Sequence, residues 1–443
     1  MSDVRSTVWK VTKASAFGGE ARVPPDKSIS HRAVLFGAIA DGDVLVDDFL
    51  LAHDTMSSVG LARALGADVE VDVSSGRLLV HGRGIDGLIE PVDIVDCGNS
   101  GSTMRMGAGI ASLVDGLTVL TGDASLKRRP MARVVTPLRK MGARIQGRAG
   151  DRLAPLVIRG GRLIGCRMVL DVASAQVKSC ILLAGLGASG TTTVVEPAPT
   201  RDHTERLLTY FGVKVGESGG EVSVAGGQRL TGRAVHVVGD MSSAAFLFAA
   251  AAAVPYGDVT ISGLGINPTR TGFLDVLRSF GAEVEVTEVL EVSGEPSGTV
   301  RVRSGDLAGV ELSGDLVVRA IDELPLVAVL ATQARGRTLL RDAAELRHKE
   351  TDRITTITER LVALGARIEP TPDGFVVDGP CSLTGTAVDS AGDHRVAMAM
   401  AIAGLVASGT TTISGAEASQ VSYPGFAAAL GALAPGCIVE EQP

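Results

Sequence analysis

A chain of 443 residues is too long for one ordinary hydrophobic core, so two or three domains are expected. Apolar residues make up 45% and aromatics only 3%, which means cores filled by Ala, Val, Leu and Ile. The net charge of −8 excludes the broad basic face of a nucleic-acid binder, but a few arginines can still converge on a small anion.

Five cysteines, at 97, 166, 180, 381 and 437, are odd in number and widely spaced, with no CxxC pair. That argues against a disulfide framework or a zinc site and for a reducing compartment. Met1 to Lys13 has no apolar signal region, and Ala244 to Val254 is too short to span a bilayer. The expectation is a cytoplasmic protein with no membrane and no nucleic-acid partner.

In chain order, a strand is predicted first at Val8 to Thr12; it precedes the first repeat and is expected to belong with the second domain. Two pieces then alternate. One is a short polar turn, a small-residue helix, a Gly and a β-branched strand. It begins at DKSISHR, GNSGSTMR, SAQVKS, DMSSAAF, IDELP and DHRVAMA. The other is a helix ending in an aliphatic-Gly step before a short strand. Its marker glycines are Gly66, Gly142, Gly212, Gly281, Gly365 and Gly431, separated by 76, 70, 69, 84 and 66 residues. The chain therefore reads as six units, longer than the roughly 20–50-residue period of common solenoids. Six units permit a closed ring or two groups of three, with a natural division near Gly239–Asp240–Met241. Helices this rich in Ala are apolar on most faces and should be buried.

The polar turns that open the small-residue helices carry the chemistry. A helix N-terminus offers free N–H groups and partial positive charge, which suits phosphate and carboxylate. In PPDKSISHR, Ser28 and Arg32 are four apart and share a helix face; the plain alternative is a cap serine and a surface arginine. DCGNSGSTMR, with Asn99, Gly101, Ser102 and Arg105, lets backbone approach an anion, or is simply a turn. GDASLKRRPM, Gly122 to Met131, carries three consecutive cations including Arg129. It is a solvated loop, or a mobile one that closes on an anion. SAQVKS brings Ser174, Gln176 and Lys178. Asp322 opens an apolar helix, as a cap or as a base facing substrate. In ELRHKETDR, a helix would set Lys349 and Arg353 beside Glu350, as a salt-bridged surface or as a proton-transfer group between cations. Asp393–His394–Arg395 opens the last helix in the same manner. There is no GxxxxGK[ST], HExxH or GxSxG, so neither a nucleotide nor a metal is suggested.

Together with KRRPM, TRDHTE and KETDR, these motifs run in order from about Asp26 to Ala399. So assembled, the chain resembles the EPSP synthase, or 3-phosphoshikimate 1-carboxyvinyltransferase, family of enolpyruvyl transferases. The resemblance implies an α/β fold of two inside-out α/β domains, each of three βαβαββ units, joined by a two-strand hinge. Residues 24–240 would form the shikimate 3-phosphate side, and 1–23 with 241–443 the phosphoenolpyruvate side. It implies transfer of the enolpyruvyl group of phosphoenolpyruvate to the 5-hydroxyl of shikimate 3-phosphate, without cofactor, by a monomer inhibited by glyphosate. Lys27, Ser28, Arg32, Ser174, Gln176, Arg201, Asp322 and Lys349 would contact shikimate 3-phosphate. Lys27, Gly101, Arg129, Gln176, Arg353 and Arg395 would hold phosphoenolpyruvate, with Asn99, Ser102, Arg105 and His394 nearby. Asp322 would be the base, Glu350 the proton-transfer group at C3, and Lys27 a further candidate.

Two departures stand out. Many members carry a lysine in a KTFP-like segment near the C-terminus where this chain reads QVSYP, so no cation is assigned at Gln420 or Val421. SAQ with TRDHT resembles the glyphosate-tolerant branch, yet position 101 is Gly, so inhibition is expected at least in part. The related transferase acting on UDP-N-acetylglucosamine typically has a Cys in the loop that is Gly122 to Met131 here, and this loop has none.

Overall fold

The structure is a computed structural model that describes residues 7–441. Its pattern is plainest where the chain supplies a unit without interruption. Strand Val95–Asp96, helix Gly101–Ala111, strand Leu117–Thr121, helix Ala132–Lys140, strand Arg144–Gly147 and strand Leu153–Arg159 follow in order. The first two strands are parallel, and the last lies between the second and third, antiparallel to both. Parallel neighbours require a crossover element, and the small-residue helix supplies it. The sets starting at Arg167–Val169 and at Glu311–Leu312 repeat this βαβαββ plan.

The other three units borrow a strand. Leu230–Thr231 and Val235–His236, which follow the third unit, run parallel to Ala40–Asp47 and supply the first strand of the first unit. Gly18–Ala21 does the same for Asp258–Gly265 in the fourth. Val8–Thr12 fills the last place in the sixth, antiparallel to Thr410–Ser414 and to Ile438–Glu441. The early strand thus belongs with the C-terminal units, as its position in the sequence suggested. Among the described residues six sheets result, three in each of the two halves.

The chain divides into one compact unit of Met1–Pro24, Gly239–Leu290 and Pro296–Pro443, and another of Pro25–Val238 with Glu291–Glu295. Each has its own core. At the centre of each are the small-residue helices, buried almost all round; Met241 to Ala252 is buried without a break. Helix cores of Ala and Gly let backbones come close. A Cβ on Gly109 would stand 2.3 Å from the carbonyl oxygen of Cys180, so helices Gly101–Ala111 and Ala175–Leu186 meet where a methyl cannot fit. Among the described residues, no helix is long and apolar enough to cross a membrane.

Five marker glycines, Gly66, Gly142, Gly212, Gly281 and Gly365, have φ between 91° and 104° just past a helix, a conformation that favours Gly. The sixth expectation needs correction. Gly431 lies inside helix Phe426–Leu433, and the left-handed residue before the last strand is Gly436, with φ 78°.

Candidate active site

In the Pro25–Val238 unit, Asp26 caps helix Lys27–Ala38 by accepting from the Ile29 amide at 2.9 Å. The cap is therefore Asp26 and not Ser28. Lys27 and Ser28 occupy the first turn, where amide hydrogens are free of intrahelical partners. Lys27 Nζ lies 3.1 Å from Oδ2 of the buried Asp54, on the next helix, His53–Ala64.

Arg32, one turn further on, is buried and not a surface arginine. It donates from Nε to Thr204 Oγ1 at 2.8 Å, from Nη2 to Ser179 Oγ at 2.9 Å, and from Nη1 to the Ser28 carbonyl at 2.9 Å. Burial pulls its pKa down, against Glu205, Asp26 and Glu295, to about 10, so it stays charged at neutral pH. Donors remain on both terminal nitrogens. Half-buried Arg201 adds to the positive field on Arg32. His31 beside it is held neutral, chiefly by burial and then by Lys27 and Arg32, and pairs with Ser58 Oγ at 2.8 Å.

Ser100 caps helix Gly101–Ala111 through the Thr103 amide, which leaves Gly101 and Ser102 in its first turn. Two buried guanidiniums converge here. Arg105 Nη1 donates to Gln176 Oε1 at 2.5 Å, and Gln176 Nε2 donates to Ser102 Oγ at 2.9 Å. Arg129 Nη2 donates to Asn99 Oδ1 at 2.6 Å, while Asn99 Nδ2 donates to Asp123 Oδ2 at 2.6 Å. A Cβ on Gly101 would sit 3.3 Å from Nη1 of both Arg105 and Arg129.

The three-cation loop is divided in use. Arg128 faces solvent, Lys127 is half-buried, and Arg129 turns inward. Asp123 ties the loop down, accepting also from the Leu126 amide at 2.7 Å. Ser174 begins helix Ala175–Leu186 without a side-chain cap bond. Lys178 is structural. It is buried between Glu196 at 2.7 Å and Glu205 at 2.6 Å, and these carboxylates override burial to raise its pKa.

The other unit gathers Asp322, Lys349, Glu350, Arg353, His394 and Arg395. Asp322 lies in the turn before helix Leu324–Gln333, and the capping position belongs to Glu323. Asp322 is instead ringed by cations. Lys349 Nζ is 3.4 Å away, Arg353 Nη1 3.7 Å, Arg395 Nη2 3.8 Å and Arg270 Nη1 4.0 Å. Arg395 Nη1 also donates to the Asp322 carbonyl at 2.9 Å. Arg353 is 1% exposed and bonds Asp393 from Nε at 2.8 Å and Glu350 from Nη2 at 2.5 Å. Burial alone would lower its pKa, but Asp393 and Glu350 hold it above the usual arginine value. Asp393 is fully buried; burial, with Glu350 nearby, pushes its carboxyl up, while Arg353 and then His394 pull it down, leaving it below its ordinary value. Asp393 also caps helix His394–Val406 through the Arg395 amide at 2.9 Å.

The expected helical face at ELRHKETDR is not continuous. Ala344–His348 is a 3₁₀ turn, the chain then breaks, and a new helix starts at Arg353, capped by Asp352. Glu350 meets Arg353 across that break, so the spacing held while the helix did not.

Sequence reasoning missed Asp54, Asp123, Ser179, Thr204 and Arg270. No local pattern marks Arg270, whose partners Asp240 and Glu323 are 30 and 53 residues away. Asp393 was legible as a cap, but not as the counter-ion of Arg353. Among the described residues, no three His, Cys, Asp or Glu side chains converge to hold a metal.

Residues 11–430 match the profile of EPSP synthase (3-phosphoshikimate 1-carboxyvinyltransferase). The chain belongs to the EPSP synthase family. A 3-phosphoshikimate 1-carboxyvinyltransferase of Brevibacillus brevis is 49% identical over 417 residues, 94% of this chain and 97% of the relative. One of Geobacter sp. (strain M21) is 49% identical over 418 residues, with the same coverage. An EPSP synthase structure from Acinetobacter baumannii superimposes with a TM-score of 0.87 at 41% identity, covering 99% of this chain and 100% of that one. The two-domain enolpyruvyl transferase fold of that family is the fold described above.

Proposed function

We propose that the residues gathered in the two units serve the two substrates of the EPSP synthase reaction in this chain. The reaction is transfer of the enolpyruvyl group of phosphoenolpyruvate to the 5-hydroxyl of shikimate 3-phosphate, in aromatic amino-acid biosynthesis. Both substrates are anions, and the sites are built from the groups that bind anions: guanidiniums, a lysine and helix N-termini. Ser28, Arg32, Ser174, Gln176, Arg201, Asp322 and Lys349 are assigned to shikimate 3-phosphate. Gly101, Arg129, Gln176, Arg353 and Arg395 are assigned to phosphoenolpyruvate. Lys27 serves both, and Asn99, Ser102, Arg105 and His394 support them.

The chemistry is addition and then elimination. Asp322 takes the proton of the 5-hydroxyl as its oxygen bonds to C2, and C3 gains a proton. The C2–O bond to phosphate then breaks, and C3 returns a proton to re-form the double bond. Glu350 is the proton-transfer group at C3, with Lys27 the further candidate. The observation that carries this reading is the ring of four cations around Asp322, since an anion binder gains nothing from a carboxylate at its centre. The cationic ring would hold the carboxylate in place while the neighbouring arginines take the charges of phosphoenolpyruvate.

Five free cysteines fit an enzyme of the reducing cytoplasm. Turnover and substrate binding of Asp322→Ala and Glu350→Gln test the roles. Both are expected to lose at least about a hundredfold in kcat while still binding shikimate 3-phosphate. Turnover near the parent level in either variant removes that residue from the mechanism.

A further inference from the structure

We infer that Arg270 is a positioning residue for the reaction, fixing the Asp322 carboxylate from the protein side. The inference rests on the reading of Asp322 as the base. Arg270 follows the strand Asp258–Gly265 in the segment Asn267–Pro268–Thr269–Arg270, and its side chain is 4% exposed. Nη2 lies 3.0 Å from Asp240 Oδ1. Nη1 lies 3.4 Å from Glu323 Oε1 and 4.0 Å from Asp322 Oδ2, so one nitrogen faces both carboxylates.

The anchors behind it are rigid. Asp240 is buried at the N-terminus of helix Met241–Ala253, where it accepts from the Ser242 amide at 2.9 Å. Glu323 is fully buried and is also bonded by Ser242 Oγ. It lies 3.6 Å from Arg395 Nη1 as well. A guanidinium locked between two buried carboxylates has little rotational freedom left, and its planar fork sets direction as well as charge.

The other cations around Asp322 differ in kind. Lys349 has a 24% exposed side chain, and Arg353 and Arg395 are the proposed grips on phosphoenolpyruvate. Once substrates engage those three, Arg270 remains as the cation given wholly to the protein. A base displaced by even about 1 Å can cost on the order of a hundredfold in rate, so such a tether bears on turnover more than on binding.

The test is steady-state kinetics of Arg270→Met and Arg270→Lys, each alone and in an Asp322→Asn background, with thermal melting as a check on folding. Arg270→Met is expected to lower kcat by about tenfold to a hundredfold, with KM for both substrates within about threefold. Arg270→Lys, which keeps the charge without the fork, should lose less than the Met variant. In the Asp322→Asn background, neither change should lower kcat by more than about twofold, because nothing is left to position. A wild-type kcat in Arg270→Met, a Lys variant no better than Met, or an equal loss in both backgrounds overturns the inference. Should Arg270→Met not accumulate as folded protein, the Lys variant in the two backgrounds decides alone. A wild-type kcat in Asp322→Asn by itself instead overturns the reading of Asp322, so the two failures are distinguishable.

Discussion

Replacing Asp393 by Asn isolates one buried charge. Asn keeps the size and a carbonyl oxygen for the Arg395 amide, now 2.9 Å from Oδ1, so the cap of helix His394–Val406 survives. What goes is the negative charge 2.8 Å from Arg353 Nε, and the acceptor for Thr351 Oγ1 at 3.1 Å weakens. Arg353 is 1% exposed and Asp393 fully buried, so solvent screens little of the loss. Removing one partner of a buried pair typically costs about 3–5 kcal/mol. Glu350 still holds the guanidinium, at 2.5 Å from Nη2, so the lower end, about 3 kcal/mol, is expected. For a unit of this size that is a fall in Tm of roughly 6–12 °C.

The pH dependence gives a second handle. The Asp393 carboxyl sits below its ordinary range, so its stabilisation is present above the unfolded carboxylate value of about 4 and is lost as pH falls through the folded one. The gap between parent and variant should therefore be constant from neutral pH down to about 4 and narrow below that. Calorimetry of both proteins across that range is the assay. A variant within about 0.5 kcal/mol of the parent, or a gap that widens in acid, refutes the argument.

Other outcomes follow from single contacts. Gly109→Ala should lower Tm, because its methyl meets the Cys180 carbonyl at 2.3 Å, whereas Gly60→Ala, on a helix with nothing within 4 Å, should raise stability by about 0.5–1 kcal/mol. Gly101→Ala places a methyl 3.3 Å from Arg105 and Arg129; it should raise the inhibition constant of glyphosate more than KM for phosphoenolpyruvate, which paired inhibition and rate assays check. Cys97 and Cys180, buried with thiols near 12, should resist iodoacetamide at pH 8 in the folded protein, as peptide mass mapping would show.

Much of the fold was legible because it repeats. Periodic small-residue helices and left-handed glycines are local signals, and five of the six markers fell where the backbone turns. Gly431 misled because the Ala-rich helix around it continues for two more residues, and only Gly436 takes a positive φ. The site was legible at its motifs and illegible in its depth. Nothing in DKSISHR says that Arg32 is buried against Thr204, 172 residues on, nor does NPTR say that Arg270 meets Asp240 and Glu323. Whether a cation is a solvated surface or a buried anchor depends on contacts that only the folded chain creates. The break inside ELRHKETDR had a local sign, Asp352 three residues before Thr355, whose amide it accepts, but the spacing of charges hid it.

The most direct test of the account is to mix the protein with phosphoenolpyruvate and shikimate 3-phosphate and follow phosphorus and proton NMR together. One inorganic phosphate should appear for each enolpyruvyl ether formed at the 5-hydroxyl, and neither should form when either substrate is withheld. Phosphate released from phosphoenolpyruvate alone, or both substrates bound with no ether formed, would contradict it.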